Sequence, residues 1–94
     1  MEQDNKNMQY VGWQLMQILG YNPELDTLVE KIKEKPKAIK VARVIDDAIF
    51  QTEEGLDYNI PDNQIRQLKL VYNLLCNKFP AIESEVVARY DLKS

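Results

Sequence analysis

IPDNQIRQLKLVYNLLCNKF, residues 60–79, is the stretch from which the fold can be read. Ile65, Leu68, Tyr72, Leu75 and Phe79 recur at steps of three, four, three and four, which is the period of a helix and not the alternation of a strand. On a helical wheel these five share one side, with Val71 and Cys76 beside them, while Asn63, Arg66, Asn73 and Asn77 take the other. Pro61 or Asp62 can start this helix, and Pro80 ends it. Leu70 and Leu74 break the pattern. They are four apart, hence stacked neighbours, and they project from the polar side, so something must cover them.

Working outward toward the N-terminus, Gly55 to Asn59 is a polar turn, and before it Pro36 opens a helix that runs to about Glu53. Its apolar set, Ala38, Ile39, Val41, Ala42, Ile45, Ala48 and Ile49, covers nearly half the circumference, which marks a central element with two neighbours. Upstream, Asn22-Pro23 reads as a cap and a first-turn proline for a short helix over 23–35. Leu25, Leu28, Val29 and Ile32 form its one apolar face, and Pro36 sets its end by disfavouring helical geometry at Lys35. Thr27 with Glu30 also fits a capping box, which would start that helix later. The first helix, about 4–19, carries Met8, Val11, Leu15, Ile18 and Leu19 on one face and stops at Gly20, a residue suited to the left-handed close. Gly12 weakens its interior. Tyr10 and Trp13 lie off its stripe and need cover, from the same fold or from a partner.

Toward the C-terminus, residues 80–94 hold Ile82, Val86, Val87, Tyr90 and Leu92, too apolar for a free end. A short helix followed by coil is expected, folding back as a lid over Leu70 and Leu74. Four helices of about 4–19, 23–35, 36–53 and 61–79, joined by short connections, specify one all-α domain over residues 1–94. Its expected form is an antiparallel up-and-down four-helix bundle with the apolar tail folded back on helix four.

Composition narrows the chemistry. With 94 residues, 45% hydrophobic and 29% charged, the chain fits a soluble globular domain. No apolar run approaches the ~20 residues of a membrane span, and the polar N-terminus is unlike a signal peptide, so a cytoplasmic location is expected. One cysteine forbids an internal disulfide, and the absence of histidine removes the commonest metal ligand and general base, so no metal, cofactor or catalytic residue is assigned. Cys76 reads as a structural thiol. The adjacent pairs Asp46/Asp47 and Glu53/Glu54 diverge on a helix and do not converge on one substrate atom, which argues against an enzyme. Lys31, Lys33, Lys35, Lys37, Lys40 and Arg43 supply half of the 12 basic residues, although the net charge is −3. This basic corner is either a solvated face or a contact, centred on Lys33, Lys37 and Lys40, for an anionic membrane surface or an acidic protein. No nucleic acid is expected.

The order of these features resembles the immunity proteins that protect producers of pediocin-like (enterocin A-type) bacteriocins from their own peptide. The resemblance covers most of the chain. It is carried by size, by EKPKAIKVARVIDDAI (34–49) with its proline-started third helix, by the acidic turn, by NIPDNQIRQLKLVYNLL (59–75) with Gln64 and the spaced leucines, and by the closing Arg89-Tyr90. Where members often end Arg-Tyr-Gly-Tyr, this chain reads Arg89-Tyr90-Asp91-Leu92. The resemblance implies a four-helix bundle that acts without catalysis: it recognises the membrane permease of the mannose phosphotransferase system with bacteriocin bound, from the cytoplasmic side. Peripheral association with the inner membrane face is compatible with this. The C-terminal half would carry specificity, which makes Leu70, Leu74, Val86, Val87, Arg89 and Tyr90 partner-binding candidates beside the three lysines. The alternative is a small helical regulatory or adaptor protein, nucleic-acid-associated or not, that uses the basic 31–43 corner.

Overall fold

The helical period of 60–79 is realised as a helix from Asp62 to Lys78, and its apolar face is the side that packs: Ile65, Leu68, Val71 and Leu75 are buried, with Tyr72, Cys76 and Phe79 half-buried beside them. The chain is seen here as a computed structural model that describes residues 8–55 and 58–86. Within them lie α1 (Met8–Leu19), α2 (Leu25–Lys31), α3 (Lys35–Glu53), α4 (Asp62–Lys78) and α5 (Ala81–Val86), and no strand. The chain forms an all-α bundle. Residues 4–7 of the expected first helix and the tail beyond Val86 lie outside the described residues.

Two helix ends follow the glycine expectation. Gly20 at φ +85° and Gly55 at φ +69° hold the left-handed conformation that side-chain-bearing residues adopt only under strain. Each closes the turn before it, Gly20 N–H bonding to Met16 O at 2.8 Å and Gly55 N–H to Thr52 O at 3.1 Å.

α2 is shorter at both ends than its sequence signals suggest. It begins at Leu25 behind an extended Glu24 rather than at Pro23, and no side chain caps it, so neither the Asn22 cap nor the Thr27 capping box is used. It ends at Lys31 because Ile32 turns extended (φ −83°, ψ 117°) and drops its side chain into the core, where it is almost fully buried. Burying an isoleucine is worth roughly 1.5–3 kcal/mol, more than one further helical residue provides. Lys35, expected to close α2, is therefore the first residue of α3, with Pro36 in the first turn.

α3 is central, with three partners in place of the two expected: α1, α4 and α5 all pack on it. Its Ala38, Val41, Ala42, Ile45 and Ala48 are buried, and the alanines let neighbouring backbones approach. α2 packs on α4, so the closest pairings are α1 with α3, α2 with α4, and α3 with α4, while α5 sits against both α3 and α4. One apolar core runs through all five helices, and no charged or polar residue is buried among the described residues.

Candidate functional site

α5 folds back on α4 as expected, but not as a lid over the leucine ridge. Ile82 and Val86 have no exposure and belong to the core, whereas Leu70 and Leu74 remain 58% and 44% exposed. Helical spacing explains the split: once Leu68, Val71 and Leu75 face α2 and α3, positions 70 and 74 point outward, and the core has no place for them. Val86, a partner-binding candidate, is thus a core residue. Val87, Arg89 and Tyr90 lie outside the described residues. Leu70 and Leu74 stand on an exposed face between Arg66, Asn73 and Asn77.

A second apolar surface lies on α1. Tyr10 stacks on Trp13 with ring centroids 6.1 Å apart and meets Tyr58 at 6.2 Å, and the Tyr58 hydroxyl lies 3.4 Å from Gln14 Oε1. Tyr58 therefore supplies the cover for Tyr10 from within the fold. Trp13 stays half-exposed and walls an open groove of about 410 Å³ with Met8, Gly12 and Met16. The groove's signal in the sequence is Met8, Gly12 and Met16 at steps of four, a row of flexible and small residues along α1.

The basic corner divides. Arg43 leaves it, since its guanidinium donates to Glu85 O at 3.3 Å and approaches the Glu85 carboxylate at 4.0 Å, tying α3 to α5. Lys31, Lys33 and Lys37 gather around a small cavity of about 160 Å³ whose other walls are Leu19, Tyr21, Ile32 and Glu34. Lys31 Nζ sits 5.8 Å over the Tyr21 ring. Lys40 is exposed and lies off the cavity. The Tyr21 wall was not anticipated; its only signal is an aromatic placed directly after the Gly20 stop.

One carboxylate of each adjacent acidic pair is engaged in structure. Asp47 Oδ2 accepts from Gln51 at 3.0 Å, and Glu53 pairs with Lys69, joining the end of α3 to α4. Burial pushes the Cys76 thiol up, Glu83 and Asp46 push in the same direction, and the neighbouring Tyr72 hydroxyl pulls against them. A thiol held protonated is a poor nucleophile and a poor metal ligand. Among the described residues no three acidic, cysteine or histidine side chains group as a metal site, and no helix is long and apolar enough to cross a membrane. Comparison with protein-family models, curated proteins and solved structures returns no match.

Proposed function

We propose that this chain is an immunity protein of the pediocin-like bacteriocin type, protecting a producing cell by recognition and not by catalysis. Its partner is the membrane permease of the mannose phosphotransferase system with the bacteriocin engaged, met from the cytoplasmic side. Support comes from the sequence resemblance over most of the chain, and the observation that carries the proposal is the exposed Leu70–Leu74 ridge. The inner face of α4 is already committed to the core, so an apolar pair on its outer face adds nothing to folding and suits a protein contact.

Expression in a bacteriocin-sensitive strain, with survival scored against several pediocin-like peptides, tests this. The intact chain protects against at least one peptide, and Leu70→Ser/Leu74→Ser abolishes the effect; no protection against any of them rejects the proposal. A second reading, a helical adaptor working through its basic corner, is favoured by the convergence of Lys31, Lys33 and Lys37 on one cavity. It predicts that the leucine variant keeps its activity and that the lysine variants lose it.

A further inference from the structure

Three of the cations among the described residues have an ion-pair or hydrogen-bond partner. Lys69 pairs with Glu53, Arg43 engages Glu85, and Lys78 is bound to backbone carbonyls of α2. Lys33 and Lys37 have no ion pair among the described residues, and Lys31 has only the face of Tyr21. These three nevertheless line one cavity instead of spreading apart, and the single carboxylate there, Glu34, leaves the rim with an excess of positive charge.

The cavity has a defined construction. Leu19 and Ile32, both nearly buried, are its apolar walls, Tyr21 is an aromatic wall, and Glu34 and Lys37 bring the start of α3 to its edge. That start is electrostatically unfavourable as it stands. The first turn of a 19-residue helix holds Lys35 and Lys37 and no acidic residue, so cations sit where the helix dipole is already positive. Glu34, at the cap position, makes no side-chain capping bond. Three lysines around one cavity that holds a single carboxylate suit a compact multivalent anion. At about 160 Å³ the cavity lies well below the ~300 Å³ from which pockets for drug-sized organic ligands begin, so only a small ligand fits it.

We infer that the Lys31–Lys33–Lys37 cavity is a phosphate-binding site, taking the phosphate of an anionic lipid headgroup or of a small soluble phosphate ester. This goes beyond the immunity proposal and does not depend on it. The test is in vitro, so a failed protection assay and a failed binding assay remain separate results.

The full chain is titrated with inorganic phosphate and, separately, with vesicles of phosphatidylglycerol or of phosphatidylcholine, while backbone amides are followed by NMR. Saturable shifts are expected at Tyr21 and from Lys31 to Ala38. Lys33→Gln/Lys37→Gln weakens binding by about tenfold or more, through the loss of two charge-assisted contacts. The charge-matched control Lys40→Gln/Arg66→Gln, which removes two cations off the cavity, changes it by less than about twofold at moderate salt. All four of these side chains are exposed, so both variants keep the fold. Saturation by inorganic phosphate, with no preference between the two vesicles, supports the site and assigns a soluble ester. Preference for phosphatidylglycerol that the cavity variant loses supports it and assigns the lipid. No saturable shift with either probe overturns the inference, and so does an equal loss in the control, which would mean a diffuse surface field.

Discussion

Lys78 completes a helix it does not belong to. Its ammonium donates to Val29 O at 2.8 Å and Glu30 O at 3.5 Å, carbonyls of the last turn of α2, where Val29 O also accepts from the Ile32 N–H at 3.3 Å. Lys78→Met is expected to cost about 1 kcal/mol, since charge-assisted hydrogen bonds contribute more than neutral ones but this one is exposed. Urea unfolding measures it, and amide exchange in α2 should rise before that in α3; unchanged α2 protection would discount the bond. Cys76 yields a prediction with a sign. Its folded pKa is raised, chiefly by burial, so on raising the pH the unfolded chain loses its thiol proton first. That contribution to stability is fully present below the ordinary thiol pKa of about 8.5 and is lost as pH climbs through the folded value. Wild-type stability should therefore fall more steeply above that pH than that of Cys76→Ala, and a thiol reagent should label the native protein far more slowly than the urea-unfolded chain. Equal labelling rates would contradict the burial.

Among the elements, α1 contains an avoidable weakness. Gly12 sits in mid-helix, and a Cβ added there meets nothing within 4 Å, so Gly12→Ala should stabilise by roughly 0.5–1 kcal/mol with no packing penalty. A thermal melt reads this as a rise of several degrees, and a fall would indicate a backbone requirement in the groove beside Trp13. On α4, Leu70→Ser and Leu74→Ser should each shift stability by less than about 0.5 kcal/mol, because neither side chain enters the core. A large loss in urea unfolding would show that the ridge is covered after all. The elements themselves are legible wherever one face is buried: the stripes on α1, α3 and α4 reappear as the core, and Gly20 ends α1 in the left-handed conformation expected of it. What sequence could not give was competition between a local signal and the interior. Pro23 and Thr27 are sound start signals that α2 leaves unused, and Ile32 follows the core rather than the helix. The site was partly legible for the same reason. Lys31, Lys33 and Lys37 are visible as charge, but the Tyr21 wall and the shared cavity exist only once Ile32 bends the chain.

For the molecule as a whole, α5 is a structural closure. Truncation after Ala81 removes Ile82 and Val86, which at roughly 1.5–3 kcal/mol each together reach the lower end of a small domain's stability of about 5–15 kcal/mol. The truncated chain should lose its cooperative thermal transition, whereas a near-native melt would return α5 to the role of a dispensable lid. The pairing of α1 with α3 and of α2 with α4 has a consequence in time. During synthesis α1 cannot bury its stripe when α2 follows it, because its partner is the helix after, and the core that receives Leu15 also needs Ile82. At about 5–20 residues per second, the interval from Leu19 to Glu53, where α3 ends, lasts on the order of 2–7 s. Until α3 has been made, Val11, Leu15 and Leu19 have no partner helix of their own chain to shield them.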